Sequence, residues 1–235
     1  MKSDSSTRVS RGKVVTAVLL KDIQIELRSR VITNQVLPFA GLVMVMFAFA
    51  LDNDDVLQRV AGGLVWLATL FSMLVVIQRS FTVESADGAL DALRVAGVDM
   101  GAIFVGKAIA LMVQLFVLEL MLVATAVVLY GVEMTLTGFC EAIVTLVVAT
   151  IGLGSVGTLY GGLAAGAKGR ETLLPLLLLP VVAPVLIGAT RATEAAFGSG
   201  GTAVSEGWPW IGLLAVFAVI FAVAGTVAFG PLVDE

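Results

Sequence analysis

The sequence contains no histidine and only one cysteine, Cys140. Without histidine the chain lacks the commonest general base, metal ligand and haem axial ligand. One cysteine excludes an internal disulfide framework and any cysteine-based metal site built by this chain alone. Charge is also sparse. Asp, Glu, Lys and Arg make up 14% of the residues, against about 25% in a soluble domain. The net charge of -4 and the sequence pI of ≈ 4.9 give no positive excess of the kind that nucleic acid attracts.

What is abundant is hydrocarbon. The chain is 59% hydrophobic, with a mean hydropathy of +1.04. The apolar residues fall in blocks near the ~20 residues that a helix needs to cross a bilayer. The sequence therefore predicts an all-α membrane protein with six transmembrane helices, at about 35–51, 56–77, 108–130, 139–164, 173–190 and 210–229. Residues 1–12 are polar, lack the apolar core of a signal peptide and are expected to form a disordered tail. Residues 13–34 are expected to form an interfacial amphipathic helix. Leu20, Ile23 and Leu27 make one stripe there, with Lys21, Gln24 and Arg28 beside it. The six-helix domain takes 35–230, and 231–235 form a short tail.

An even number of spans puts both ends on one side. Lys and Arg count seven in the N-terminal arm, three in the loop at 78–107 and two in the connector at 165–172, against Arg59 and Arg191 on the other side. The positive-inside rule then makes both termini and the 78–107 loop cytoplasmic.

That loop, QRSFTVESADGALDALRVAGVDMGAIFVGK, is the charged stretch between two long apolar runs. Gly88 permits a sharp backbone change. Residues 89–95 are expected to form a short helix with Leu90 and Leu93 outward and Asp87, Asp91 and Arg94 around them. Gly97 would end it, and Asp99 would cap the next helix. Two leucines ringed by charge suit docking into a groove on a soluble partner. The same pattern also suits a solvated loop helix whose leucines rest on the bundle.

GAIFVGKA, from Gly101 to Ala108, nearly spells a phosphate-binding loop. Its last position is Ala108 rather than Ser or Thr, and no strand precedes it. Lys107 is then expected to anchor at the lipid headgroups. DGALDALR lacks the downstream paired aspartates that an acidic metal motif needs, so no enzyme is expected. Glu119, an intramembrane carboxylate, costs roughly 2.5–3.5 kcal/mol if charged at mid-membrane. It is expected either to line a path or partner contact, or to hydrogen-bond a neighbouring helix. Gly157 and Gly161 form a small-residue face for close helix packing. Pro175, Pro180 and Pro184 bend the fifth span, as a hinge or as shaping of the bundle. Trp208 and Trp210 flank Pro209 at the expected outer interface, where tryptophan is routine.

The string RSFTVESADGALDALRVAGVDMGAIFVGKA resembles the corresponding loop of the cytochrome c maturation protein B family, the haem exporter B permeases. LLKDIQIELRSR resembles that family's first helix, and AAGAKGRETLLPLLLLPVVAPVL its fourth-to-fifth connector and proline-rich fifth span. The resemblance implies an ABC-2-like permease subunit of the inner (cytoplasmic) membrane with no ATPase of its own. It would act with an ATP-binding subunit and a haem-handling membrane subunit, and indirectly with a periplasmic haem chaperone. No cofactor would be bound by this chain; haem would be handled by the complex, and ATP by the partner. The segment Gly88–Arg94 would be the coupling helix, with Glu84, Asp87, Gly88, Leu90, Asp91, Leu93 and Arg94 as the ATPase-coupling residues. A permease for another substrate such as a drug or lipid, or a subunit that only anchors and couples, are the alternative readings.

Overall fold

The computed structural model describes residues 10–51, 53–86, 93, 95–165 and 170–233; for 82–86, 165, 170–172 and 233 it describes the backbone alone. Among the described residues lie seven α-helices: α1 (Arg11–Ser29), α2 (Leu37–Ala50), α3 (Asp54–Ala86), α4 (Met100–Leu129), α5 (Leu136–Ala165), α6 (Arg170–Ala196) and α7 (Trp208–Val233). Six segments are long and apolar enough to cross a membrane: Ile32–Ala50, Asp54–Phe81, Met100–Leu129, Leu136–Ala164, Leu173–Ala196 and Val204–Leu232. The fold is all-α, with the six spans that the apolar blocks predict.

Local chemistry sets the helix ends. Arg30 turns left-handed after α1 (φ 52), and its N–H donates to the Glu26 carbonyl. A π-helical turn, Ile32–Val36, then leads into α2. The Asn53 side chain accepts from the N–H groups of Asp55 and Val56, capping α3, and Asp54 and Asp55 sit favourably in its first turn. Thr135 caps α5 by accepting from Gly138 N–H at 3.1 Å.

At 33 residues α3 is about 50 Å long, well beyond the ~30 Å hydrocarbon layer. Its last turns therefore stand clear of the apolar slab. The third span starts at Met100, eight residues earlier than the hydropathy step predicts, because the helix runs unbroken from its cap through Lys107.

The helices α3 and α5 are the most enclosed, and α5 packs on α3, α4, α6 and α7. Fully buried Trp66, Met73, Leu115, Leu118, Leu146 and Leu153 fill the middle of the bundle. Most of the length of α2 and α7 faces outward. Phe39, Leu42, Met46 and Phe49 on α2, and Val216, Val219, Val223 and Val227 on α7, make lipid-compatible faces.

Helix α1 packs along the start of α4. Its buried side is Val14, Val18 and Asp22, while Leu20 and Leu27 stay exposed. The apolar stripe evident in the sequence is thus the outer face of α1. The inner face is built from two valines and a carboxylate.

Candidate functional site

The end of the bundle that carries the charged loop is the site of interest. The backbone of Glu84 lies in the last turns of α3. Asp87, Gly88, Leu90, Asp91 and Arg94 lie outside the described residues, as does the side chain of Glu84. The close of the loop is described. Gly97 adopts φ +70, and Val98 N–H donates to the Leu93 carbonyl at 3.1 Å. This six-to-one bond through a left-handed glycine stops a helix and is commonly joined by an apolar contact of its two outer residues. Both Leu93 and Val98 are half-buried against the core. Leu93 therefore rests on the bundle, the second of the two arrangements that the sequence leaves open, rather than pointing outward. The stop motif needs it there. The exposed apolar side chain in this turn is Val95, at 89%.

Asp99 follows at once and does two jobs. Its carboxylate accepts from Ala102 N–H at 3.2 Å, capping α4, and it pairs with the Arg11 guanidinium on the first turn of α1. Partial burial works against the charged form. The Arg11 hydrogen bond and the Ala102 and Gly101 N–H groups outweigh it, holding the Asp99 carboxyl below its ordinary value.

Two turns into α4, Lys107 is 2% exposed. Its ammonium lies 3.2 Å from the Asp22 carboxylate of α1, 3.3 Å from Ser80 Oγ of α3, and 4.6 Å from the ring centroid of Phe81. Lys107 is thus an internal tie rather than a headgroup anchor, contrary to the sequence reading. A lysine is kept inside because two helices supply it with a carboxylate from α1 and a hydroxyl and an aromatic face from α3. The neighbouring Gly106 lets α1 come close: a Cβ there would lie 2.8 Å from Val18 Cβ and 2.9 Å from the Val15 carbonyl. The near-phosphate-loop string is therefore helix from end to end. Its second glycine serves helix packing. A small crevice of about 30 Å³, walled by Ile25, Val31 and Val76 as well as by Asp22, Glu26, Arg79, Ser80 and Gln114, reaches this tie from the side.

Farther along α4, Glu119 is fully buried. Its Oε2 lies 2.5 Å from Thr150 Oγ1, which also lies 2.6 Å from the Leu146 carbonyl. A hydroxyl has one proton to donate. Thr150 Oγ1 donates it toward either Glu119 Oε2 or the Leu146 carbonyl. The other oxygen, Oε1, has no hydrogen-bond partner among the described residues. A second enclosed carboxylate, Glu141, escaped the sequence reading. It is 0% exposed, both its oxygens lack a hydrogen-bond partner among the described residues, and it packs against Gly207 at the start of α7. Its place near the head of an apolar run gives no local sign of enclosure. The signal was a lone acid three residues after Gly138, the glycine that brings α5 against the Ala196 carbonyl at the end of α6.

The glycine face of α5 is taken up within the bundle. Gly157 lies under Met73, Ile77 and Leu111, and Gly161 under Phe81 and Ile77. Phe81 thus touches both the glycine face and the Lys107 tie. Pro175, Pro180 and Pro184 all lie inside the single helix α6. Trp208 opens α7 and is 53% exposed, whereas the buried Trp66 donates from Nε1 to Thr193 at 2.8 Å.

A bundle of six apolar spans, with a half-wrapped helix at its head and a charged loop at one end, defines the class: a multi-pass α-helical membrane protein. Comparison with known proteins narrows it. A family model described as CcmB protein matches residues 13–233. Heme exporter protein B of Rhodobacter capsulatus is 32% identical over 174 residues, 73% of this chain and 78% of the relative. The protein of the same name from Pseudomonas aeruginosa is 27% identical over 92% of both chains. That from Escherichia coli K12 is 28% identical over 82% of this chain and 83% of the relative. The chain belongs to the CcmB protein family.

Proposed function

We propose that the chain is the membrane permease subunit of an ABC transporter complex for cytochrome c maturation. It couples ATP hydrolysis by a partner subunit to delivery of haem, or to release of a haem-loaded chaperone. The observation that carries this reading is the family match over 13–233, joined to relatives whose name is heme exporter protein B. The residues are consistent with it. The chain has no histidine to ligate haem, and the catalytic work falls to the ATP-binding partner. This chain itself is a transport subunit rather than an enzyme and holds no cofactor. Its other partners are a haem-handling membrane subunit, a periplasmic haem chaperone reached indirectly, and lipid.

The distribution of Lys and Arg favours an inner-membrane orientation with both termini cytoplasmic. In that orientation Glu84, Asp87, Gly88, Leu90, Asp91, Leu93 and Arg94 meet the ATPase. Motion there passes to α4 through the Leu93–Asp99 turn, and to α1 through the Arg11–Asp99 and Asp22–Lys107 pairs. A second reading, a subunit that couples without conducting, is favoured by the solid middle of the bundle. Met73, Leu115, Leu118 and Leu153 are fully buried there.

The test is co-purification from the native membrane, with mass spectrometry of partners and a haem spectrum. An ATP-binding subunit and a haem-handling membrane protein are expected in the complex. Recovery with a drug or lipid exporter's partners instead would overturn the assignment. Haem flux in reconstituted vesicles separates conduction from coupling.

A further inference from the structure

At the bundle end opposite the charged loop lies a cleft of about 460 Å³. Its walls come from the first turns of α3, the turn between α4 and α5, and the loop between α6 and α7. Gln58 stitches these together. Its Nε2 donates to the Gly131 carbonyl at 3.0 Å, and its own carbonyl accepts from Ser199 Oγ at 3.0 Å. Gly131, Gly198 and Gly200 take positive φ values of 64, 62 and 66, conformations that a side chain would strain. Buried Val132 and Phe197 form the floor. The cleft is therefore framed by tertiary hydrogen bonds, unlike a gap between loose loops.

Its charges are arranged unusually. Asp55 and Arg59 stand at i and i+4 on α3, the order in which an acid and a base pair readily on a helix. They form no ion pair. The Arg59 stem instead lies over Gly200, and neither the Arg59 guanidinium nor the Asp55 carboxylate has a partner among the described residues. Glu133 is exposed on the facing turn. The α3 wall thus offers a cation and a carboxylate that do not pair with each other, and the facing turn offers a second carboxylate, Glu133, across an open polar space. A ligand that carries an anion and a hydrogen-bonding cation on one short linker satisfies all three. The cleft also lies where four spans end or begin, those bounded by Asp54, Leu129, Ala196 and Val204. That is the headgroup level of a membrane. Exposed Val56, Val60 and Val128 on the adjoining turns present surface for acyl chains.

The geometry points to a binding site for a zwitterionic phosphoethanolamine headgroup on a membrane lipid, with its phosphate on Arg59 and its ammonium between Asp55 and Glu133. This reading is independent of what the complex transports and of which side the cleft faces. It separates phosphatidylethanolamine from phosphatidylcholine. The primary ammonium donates hydrogen bonds to carboxylates; the trimethylammonium cannot.

The test uses the full chain in nanodiscs of equal phosphatidylethanolamine, phosphatidylcholine and phosphatidylglycerol, with tightly retained lipid measured by mass spectrometry. Retention of phosphatidylethanolamine over phosphatidylcholine is expected at about tenfold, the scale of one charge-assisted hydrogen bond at a partly wet site. Arg59→Gln and the double variant Asp55→Asn with Glu133→Gln are each expected to bring that ratio near one, and Arg59→Lys to keep most of it. All three side chains replaced are exposed, so folding is not at stake. Equal retention of the two lipids, or a ratio untouched by Arg59→Gln, overturns the proposal. If soluble phosphoethanolamine binds the detergent-purified chain as tightly as the lipid does, the site belongs to a free solute and the lipid assignment falls. If Arg59→Gln leaves lipid retention intact and instead removes a co-purifying protein, the cleft is a protein contact and the proposal fails.

Discussion

Replacing Lys107 by Met should release α1 from the bundle by a measurable amount. The ammonium of Lys107 is enclosed and bonded to Asp22, and methionine keeps the volume while deleting the charge. Breaking an enclosed ion pair by removing one partner costs about 3–5 kcal/mol when the remaining charge has nowhere to turn. Asp22 has two reliefs here. Lys21 lies 3.2 Å away on a 42% exposed side chain, and the adjoining crevice of about 30 Å³ has room for water. The loss should therefore fall below that range, at about 2 kcal/mol, or roughly 30-fold in the population of detached α1. Trypsin reads that population, because cleavage after Lys21 or Arg28 requires the helix to leave its seat, and proteolysis tracks the open state when opening is fast. Cleavage at those two sites in nanodiscs should rise by that factor in Lys107→Met. The companion change Asp22→Asn should then add little in the Lys107→Met background. As a contrast, Arg191→Gln removes an exposed pair with Glu194 and should cost well under about 1 kcal/mol. If Lys107→Met is cut within threefold of the parent, or if the two substitutions simply add, the pair does not hold α1 and the route of motion through it is wrong.

Three further outcomes follow from the same geometry. Gly161→Ala places a methyl 2.5 Å from the Phe81 ring and 2.8 Å from Ile77 Cγ2, and should destabilise the bundle by about 1–3 kcal/mol; Gly12→Ala, with nothing near it, should be neutral or better in the same thermal-unfolding assay. Asp99→Ala should cost about 1 kcal/mol from the cap alone. Because the folded-state value of Asp99 is lowered, its contribution should be complete above the ordinary carboxylate range and fade as pH falls below it, a dependence absent in Asp99→Ala thermal scans. Glu119→Gln keeps an acceptor for Thr150 and should assemble normally while impairing maturation of the haem chaperone in cells; normal maturation would leave Glu119 with packing alone.

Much of this architecture is written locally in the sequence. Six spans follow from apolar block length, since a bilayer asks only for about 20 residues without charge. Asp99 as a cap and Gly97 as a stop were also legible, because both act within five residues of themselves. The errors arose where the deciding contact is distant. Lys107 looked like an anchor because its partner, Asp22, is 85 residues away on a helix whose visible apolar stripe faces outward. The orientation of Leu93 stayed open in the sequence because the pattern of a short charged helix does not say which side meets the bundle. Glu141 was passed over because a carboxylate at the head of a span is cheap at an interface and costly inside. Only the approach of Gly207 makes it the latter.

The polar residues of the spans therefore divide by what they do to neighbours. Trp66 with Thr193 and Glu119 with Thr150 each tie two bundle helices side by side. Lys107 differs in kind, since from α4 it contacts both α1 and α3, tying three helices together at the end where the charged loop joins α3 to α4. Closing the same loop, Asp99 is bound to Arg11 on the first turn of α1. Two ties between the same pair of helices, eleven residues apart on α1 and eight on α4, restrain rotation as well as separation. A push on the loop then cannot tilt the start of α4 without carrying α1 along. With its leucines on the outer face, α1 spreads that displacement over a second helix instead of dissipating it at a single turn.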